Sequence, residues 1–383
     1  MSAASTPLEP LAAGVLVNGY QIESLISSGG FGKVYRARDT DAARLGRRVG
    51  RAEQARANWA ASGYDGAGPS PGPTLAIKEC APATFVRRAG GQTQLSVVSA
   101  SRRSSFEWSL ARFDNEARFL TEHSHPAVIA AWESFSANGT RYLVMEEARG
   151  PTLEGLIENG GPQDEARVKV WLRPLLQGLR SAETMRVNHL DLSPTNILFR
   201  TANQDPVLID FGASRFGALP ARSTTYFIVN DGYSAPEKAK HTSRLLDSRC
   251  DIYSLAAVAL FALTGQAPPS AAEREHSDSL QTLLRIAERR ASREFVQALE
   301  SCLSLTASRR PDSLAVMEQK LFGSLGVQRG RGGVHGRPRA GFAAALQLPP
   351  IERGSRRNAM GVALIAAGVI VLILITASLG GPG

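Results

Sequence analysis

Three polar residues with a fixed spacing constrain this chain more than any other feature of its sequence. Asp191 is followed by Asn196 five positions later and by Asp210 nineteen positions later. Carboxylate and amide oxygens are hard ligands of the kind that Mg²⁺ prefers, so Asn196 and Asp210 are candidate metal ligands. The carboxylate of Asp191 is suited to orienting an attacking hydroxyl group. The alternative is that these side chains only cap turns.

Further motifs surround these three residues in a definite order. A glycine-rich segment occupies residues 27–34 (Ser-Ser-Gly-Gly-Phe-Gly-Lys-Val), and residues 75–78 read Leu-Ala-Ile-Lys. Residues 113–116 read Phe-Asp-Asn-Glu, and Ala-Pro-Glu occupies 235–237. Asp191 itself lies within residues 189–196 (His-Leu-Asp-Leu-Ser-Pro-Thr-Asn), and Asp210 opens an Asp-Phe-Gly triplet.

Taken together, the motifs resemble those of protein kinases, and most of all the eukaryotic-like serine/threonine protein kinases of bacteria. A lone glycine loop is weak evidence, whereas these six motifs in one order within residues 20–321 are specific. The resemblance implies an α+β, bilobal fold with a small β-rich N-lobe and a larger helical C-lobe. It also implies transfer of the γ-phosphate of Mg-ATP to serine or threonine of a protein substrate. Such a transfer depends on positioning and charge more than on covalent chemistry.

The resemblance assigns a role to each matching residue. Asp191 would be the catalytic base, and Lys78 would hold the ATP phosphates with Glu116 as its counter-ion, because a buried lysine without a partner would lose its charge. Asn196 and Asp210 would hold Mg²⁺. The residues expected to bind ATP are Ile26, Ser27, Ser28, Gly29, Gly30, Phe31, Gly32, Lys33, Val34, Lys78, Glu146 and Ala148.

Two features of the C-terminal half add to this interpretation. Residues 252–263 are nearly all apolar but too short to span a bilayer, so they predict a buried core helix. The resemblance implies that Asp251, which precedes them, braces the backbone of the catalytic loop. It also implies a buried pair between Glu237 and Arg310, which argues against small-molecule kinases of related fold such as aminoglycoside phosphotransferases.

Substitutions at two positions depart from the family's pattern. Leu190 replaces the arginine that in many kinases pairs with a phosphate on the activation loop. Ser193 replaces the lysine that contacts the transferring phosphate, and loss of a comparable electrostatic donor costs about 3–4 kcal/mol. Three interpretations follow: the site is slow, another cation substitutes, or the chain is a membrane-anchored pseudokinase that acts as a nucleotide-binding or interaction scaffold.

Three segments lie outside the motifs. Residues 39–73 separate two strands that a few residues normally join, and their Gly, Ala, Pro and Arg content predicts an exposed loop, with a docking element as the alternative. Residues 87–105, before the glutamate helix, form a second insert rich in Ser, Gly and Arg. Residues 1–19 are predicted to be an N-terminal tail, without the basic start and apolar core of a secretory signal.

The charge distribution favours lipid over nucleic acid as the anionic partner. Of the net charge of +9, +6 lies in the predicted linker at residues 322–358, which holds seven arginines and one glutamate (7 − 1). Aromatic residues do not alternate with basic ones as a nucleic-acid groove would require, so no nucleic-acid partner is expected. The three cysteines are too scattered in sequence to predict a disulfide framework or a zinc site.

Residues 359–380 carry no charge and predict a membrane helix. As a helix these roughly 22 residues would span about 33 Å, against a hydrocarbon core of about 30 Å. The alternative is a helix buried in the protein. Arg353, Arg356 and Arg357 precede the segment, so the positive-inside rule predicts a single-pass protein with a cytoplasmic kinase domain. The sequence makes no prediction of the oligomeric state.

Overall fold

The computed structural model describes the chain from Leu8 to Gly323 with several internal gaps. The described residues are 8–61, 68–69, 72, 74–201, 204–213, 215–216, 230–239 and 246–323. The predicted linker beyond residue 323 and the predicted membrane helix at 359–380 lie outside them. Among the helices that the structure does describe, none combines the length and the apolar character needed to cross a bilayer.

Strands dominate the first part of the described chain and helices the second. The strands are β1 (Leu16–Val17), β2 (Tyr20–Ser28), β3 (Gly32–Asp39), β4 (Thr74–Cys80), β5 (Val86–Arg88), β6 (Leu95–Val97), β7 (Ala131–Ala137), β8 (Thr140–Met145), β9 (Val187–Asn188), β10 (Ile197–Thr201), β11 (Gln204–Leu208) and β12 (Arg215–Phe216). The helices are α1 (Ala42–Ala61), α2 (Arg103–Glu122), α3 (Leu153–Gly160), α4 (Glu165–Thr184), α5 (Pro236–Ala239), α6 (Ser248–Thr264), α7 (Ala271–His276), α8 (Leu280–Ala287), α9 (Arg293–Cys302) and α10 (Leu314–Phe322).

Six strands form one antiparallel sheet in the N-lobe, in the order β1-β2-β3-β4-β8-β7. Burial alternates along β3, as expected for a strand with one face on a core. The register places Val34 opposite Lys78, so the glycine-rich turn between β2 and β3 lies beside the strand that carries the lysine. Helix α2 packs on β7 and β8 and brings Glu116 toward the same strand.

The C-lobe is built around α6, which packs against α4, α8 and α9. Asp247 caps its first turn by accepting from the Arg249 amide, and Gly265 ends it in the left-handed conformation, with φ at 71°. Every residue of α6 except Arg249 is buried. The sequence prediction of a core helix here is confirmed, as is the two-lobed α+β architecture.

The first insert differs from the prediction. An exposed loop was expected over residues 39–73, but residues 42–61 form α1, so that expectation is wrong for this part of the insert. The segment is rich in Ala and Arg, which favour helix, and Asp41 caps it by accepting from the Ala43 and Arg44 amides at 2.9 and 3.1 Å.

One face of α1 packs against the rest of the protein. Its buried residues are Arg48, Ala52 and Trp59, at helical spacing. Arg48 pairs with the buried Asp39 at the end of β3 (3.1 Å), and the Arg51 guanidinium donates to the Trp132 carbonyl (2.9 Å). The insert is therefore fastened to the sheet at more than one point.

The second insert and the N-terminal segment are joined by a buried polar network. Residues 87–105 contribute to the hairpin β5–β6, and its Arg88 pairs with the buried Glu79. Glu79 also accepts hydrogen bonds from the hydroxyls of Tyr35 and Tyr142, at 3.0 and 2.7 Å. The Arg88 guanidinium donates in addition to the Glu9 carbonyl (2.6 Å), so the described part of the predicted tail is held against the N-lobe.

Candidate active site

Three charged residues from different elements meet between the lobes. Lys78 on β4 donates to both carboxylate oxygens of Glu116 on α2, at 2.8 and 3.0 Å. It also donates to Oδ1 of Asp210, which follows β11, at 2.9 Å. Glu116 is buried, whereas the Asp210 side chain is 39% exposed. The ammonium therefore links α2 to the Asp-Phe-Gly segment and leaves part of the Asp210 carboxylate accessible.

The Lys78 ammonium and the Asp210 carboxylate stabilise each other's charged form. Burial acts to lower the pKa of Lys78, but the carboxylates of Asp210 and Glu116 outweigh it and hold that pKa above its ordinary value. Burial acts to raise the pKa of Asp210, yet the Lys78 ammonium and the Gly212 amide keep it below its ordinary value. Lys78 is therefore a cation and Asp210 an anion at neutral pH, as phosphate and metal binding would require.

Asp191 accepts hydrogen bonds from three separate parts of the chain. Its Oδ1 accepts from the Lys238 ammonium on α5 at 2.9 Å and from the side-chain amide of Asn230 at 3.0 Å. The Asn196 amide nitrogen donates to the Asp191 carbonyl at 2.7 Å and, more weakly, to its Oδ2 at 3.3 Å. This orientation turns the amide oxygen of Asn196 away from Asp191, which leaves that oxygen as the group suited to a metal ion.

The catalytic loop is held by a buried aspartate, as the resemblance to kinases implied. The two carboxylate oxygens of Asp251 accept from the backbone amides of His189 (2.8 Å) and Leu190 (2.7 Å). Leu190 is buried in the apolar core and has a φ of 61°, a left-handed conformation that is strained for a side chain of this kind. The two hydrogen bonds from Asp251 fix the backbone at this point, immediately before Asp191.

The glycine-rich segment forms the turn between β2 and β3. The structure places Ser27 and Ser28 at the end of β2 and Gly32 at the start of β3. A Cβ on Gly32 would lie only 1.9 Å from the Glu79 carbonyl oxygen, so the close approach of β3 to β4 requires glycine here. The Lys33 ammonium donates to the Ser28 hydroxyl at 2.9 Å, which closes the base of the turn.

The remaining residues of this segment lie around the same turn. Gly29 donates its amide to the Gly32 carbonyl at 2.9 Å, and the Phe31 carbonyl accepts from the Ala81 amide at 3.2 Å. Gly30 lies between them, and a Cβ placed on it would meet no atom within 4 Å. Ile26 is exposed and Val34 is half-buried. The predicted ATP-binding residues of the two strands are thus brought together by the hairpin.

The connection between the lobes follows β8. The Glu146 amide donates to the Ala130 carbonyl at 2.9 Å, so an adenine contact at Glu146 falls to its carbonyl. The Glu146 side chain is buried, and the Arg200 guanidinium on β10 donates to its two carboxylate oxygens at 3.0 and 2.7 Å. The Arg200 guanidinium also lies over the Trp59 ring of α1, 5.6 Å from its centroid. Ala148, the other predicted adenine contact, follows two residues later and is half-buried.

Three polar residues of the site were not predicted from the sequence. Lys238 and Asn230 both contact Asp191, but no spacing in the sequence predicts that the fold would bring them there. Arg112 lies one helical turn before Glu116, a position that could have identified it. Its guanidinium donates to the Gly212 carbonyl and lies over the Trp108 ring at 4.6 Å and the Phe31 ring at 5.8 Å.

The comparisons with known proteins agree with this geometry. A family model described as "Protein kinase domain" matches residues 90–322, more than half of the chain. The chain therefore belongs to the protein kinase family.

The similar curated proteins are named serine/threonine-protein kinases. PknL of Mycobacterium tuberculosis is 33% identical over 172 residues, which cover 45% of this chain and 42% of that protein. PknB of the same species is 32% identical over 164 residues, 41% of this chain and 26% of that protein. Serine/threonine-protein kinase C of Synechocystis sp. is 34% identical over 169 residues, 42% of this chain and 31% of that protein. The chain spans less than half the length of these relatives.

A solved structure supports the fold over a longer stretch. The structure titled "PpkA-294 apo form" aligns with a TM-score of 0.64 and 26% sequence identity, and the alignment covers 82% of this chain and 99% of that one. The family implies use of ATP and a divalent metal.

Proposed function

We propose that this chain transfers the γ-phosphate of Mg-ATP to serine or threonine of a protein substrate, in membrane-tethered signalling. The observation that carries the proposal is the ion-paired set of Lys78, Glu116 and Asp210. A nucleotide site in this family needs all three, and they are already assembled. The names of the similar proteins support the choice of serine and threonine as acceptors.

The nucleotide contacts follow from the same geometry. Lys78 would hold the phosphates, beside the glycine-rich turn whose backbone approaches without side chains at Gly29, Gly30 and Gly32. The backbones of Glu146 and Ala148 would bind the adenine. Asn196 and Asp210 offer an amide oxygen and a carboxylate, a donor set that suits Mg²⁺. When bound, Mg²⁺ would neutralise charge on the phosphate oxygens.

Asp191 would act on the acceptor hydroxyl. The phosphorus–oxygen bond to ADP breaks as the bond to the acceptor oxygen forms, and the hydroxyl proton passes to Asp191. In a loose transition state this proton moves late, so the orientation of the carboxylate matters more than its basicity. The hydrogen bonds that Asp191 accepts from Asn230 and Lys238 supply such an orientation.

A phosphotransfer assay on the full-length chain in detergent tests the proposal. With γ-labelled Mg-ATP and casein as acceptor, we expect label on phosphoserine or phosphothreonine. Asp191→Asn should lower the rate about 10²–10⁴-fold, the range for loss of a catalytic base. The matched control is Asp312→Asn on the exposed surface of the C-lobe, which should match the parent. Equal rates in the parent and Asp191→Asn would refute the proposed phosphotransfer activity.

A membrane-anchored pseudokinase is the second candidate. Two observations favour it: Leu190 is buried where the family has a charged residue, and Ser193 cannot supply a positive charge. This scaffold would bind ATP without transferring phosphate. Titration of a fluorescent ATP analogue, run beside the transfer assay, separates the two candidates, because binding without turnover would identify the scaffold.

A further inference from the structure

A buried lysine from outside the catalytic loop contacts the proposed catalytic aspartate. The Lys238 ammonium lies 2.9 Å from Asp191 Oδ1. Its side chain is only 2% exposed, and the Asp191 side chain is 16% exposed. Lys238 is among the largest fully buried side chains of the described residues. It belongs to α5, which follows Asp191 by more than forty positions, so the contact is made by the tertiary fold.

The catalytic loop itself, residues 189–196, brings no lysine or arginine to this point. Ser193, two positions after Asp191, is buried, and its hydroxyl is hydrogen-bonded to the Thr195 hydroxyl at 2.8 Å. Arg112 also brings positive charge near the site, but its guanidinium donates to the Gly212 carbonyl. Lys238 is therefore placed where the loop's own sequence lacks a cation.

Helix α5 is anchored so that Lys238 faces the loop. The preceding residue, Glu237, accepts two hydrogen bonds from the buried Arg310, at 2.6 and 2.9 Å. Consecutive helical residues point about 100° apart, so a helix fixed by Glu237 toward the C-lobe interior turns Lys238 toward another side. On that side lies Asp191. The Glu237–Arg310 pair thus sets the direction of the Lys238 side chain.

A purely structural role explains this lysine poorly. Burying an ammonium is costly unless it is paired, and an apolar residue of similar volume in a core is often as stable or more stable. The partner of Lys238 is the one carboxylate whose orientation the proposed reaction depends on. Asn230 donates to the same oxygen at 3.0 Å, so the two donors together fix one face of the Asp191 carboxylate.

We infer that Lys238 replaces the missing loop lysine as a positioning residue for Asp191. It holds the carboxylate in orientation and brings positive charge to the site where the phosphoryl group passes from ADP to the acceptor oxygen. The inference rests on the proposed kinase function. It accounts for how a chain with serine at position 193 retains a cation at its catalytic aspartate.

A set of four variants of the full-length chain tests the inference. We expect Lys238→Met to lower kcat about 10²–10³-fold, as for loss of an electrostatic donor, with the KM for ATP changed less than twofold. Lys238→Arg should retain at least a tenth of the parental kcat, because the charge is kept. Ser193→Lys alone should give no gain, since it would place a second ammonium near the first. Ser193→Lys combined with Lys238→Met should recover at least tenfold over Lys238→Met.

The recovery separates a role in positioning from one in folding, because a merely structural lysine would not be replaced by one on another element. Thermal unfolding and ATP binding are measured on each variant. If Lys238→Met does not fold, Lys238→Gln keeps a hydrogen-bond donor without charge and takes its place.

The two levels of failure are distinguishable. A parent no more active than Asp191→Asn overturns the proposed function, and this inference with it. An active parent with an equally active or faster Lys238→Met or Lys238→Gln variant overturns only the inference. A faster variant would identify Lys238 as a restraint on Asp191.

Discussion

The Arg310 guanidinium holds the Glu237 carboxylate with two hydrogen bonds, at 2.6 and 2.9 Å, inside the C-lobe. Both side chains are buried, and Glu237 also accepts from the Cys250 thiol at 3.2 Å. We expect Glu237→Ala to lower the free energy of unfolding by about 3–5 kcal/mol, because Arg310 would remain buried without its counter-ion. Denaturant unfolding of the parent and of the Glu237→Ala variant measures this difference in free energy.

The matched comparison for this pair removes both charges. Glu237→Met with Arg310→Met should be less destabilised than Glu237→Ala, since no unpaired charge is left inside. A loss below about 1 kcal/mol in Glu237→Ala would show that the pair is not needed for the fold.

Lys78→Met should abolish phosphotransfer, because methionine keeps the length of the side chain but not its charge. It should also lower the stability, since the buried Glu116 loses its counter-ion, so folding is checked by thermal unfolding. We expect a loss of at least about 10²–10³-fold in kcat, the range for one electrostatic donor. Lys169→Met is the control, since Lys169 is a partly exposed lysine paired with Glu165 on α4. A Lys78→Met variant as active as the parent would mean that Lys78 does not hold the phosphates.

Acidification should destabilise the protein through two histidines that follow α2. Burial lowers the pKa of His123 and of His125 to about 4, and the charges of His125 and Arg200, respectively, add to the effect. In the unfolded chain both would titrate near a pKa of about 6.5. Below that pH the unfolded state binds protons first, so this stability is complete above about pH 6.5 and is lost as the pH falls toward 4.

The effect should be about 1–2 kcal/mol per histidine at pH 5. Burial raises the pKa of Asp251 to about 7, so this group stabilises the folded protein as the pH falls and opposes the effect of the histidines. The test therefore compares the parent with a variant that lacks both histidines. Between pH 7 and pH 5, His123→Gln combined with His125→Gln should lose less unfolding free energy than the parent. Identical losses would place the acid sensitivity elsewhere.

Trp59→Ala should loosen α1 without unfolding the sheet. Trp59 is the last buried residue of the helix, and the removal of a buried tryptophan costs about 3–5 kcal/mol. We expect faster amide hydrogen exchange over Ala42–Ala61, measured by mass spectrometry, with little change in β2 and β3. The exposed Asn58 on the same helix gives the control, Asn58→Ala. Unchanged protection in Trp59→Ala would show that α1 is held by its arginine contacts alone.

Truncation after Phe322 tests the predicted membrane anchor. The truncated chain should fold and stay in the soluble fraction. The full-length chain should remain in the membrane pellet after a high-salt or carbonate wash, because residues 359–380 carry no charge. The arginines of the linker should add attraction to anionic lipid of about 1 kcal/mol per residue near the surface. Full-length protein in the soluble fraction would contradict the anchor.

The motifs made the core of the site predictable because each acts through a few neighbouring residues. Lys78 and Glu116 were assigned to each other from the resemblance of their motifs, and the fold brings them within 2.8–3.0 Å. Asp210 was assigned only to Mg²⁺, so its contact with Lys78 at 2.9 Å was not predicted. Lys238 could not be found in this way. A lysine one residue beyond Ala-Pro-Glu looks like any surface lysine, and only the path of the chain around α5 carries it to Asp191.

Helix α1 was missed for a different reason. The Gly, Ala, Pro and Arg content of the whole insert suggested a loop, whereas the part from Ala42 to Ala61 consists mainly of Ala and Arg, which are good helix formers, and tolerates two glycines. Its apolar anchors, Ala52 and Trp59, are seven residues apart, as one helical face requires, but two anchors give only a faint periodicity. The ion pair of Arg48 with Asp39 also holds the helix in place, and this contact forms only when the sheet is folded.

The two ends of this insert meet across the sheet, since Arg38 at the end of β3 pairs with Thr74 at the start of β4. In its connectivity the insert is thus an enlarged hairpin loop, and the strands continue past it in unbroken register. A two-residue turn such as Asn-Gly would join the same strand ends. A splice between these strand ends would keep every other strand partner of the sheet, but it would leave the buried Asp39 carboxylate without Arg48.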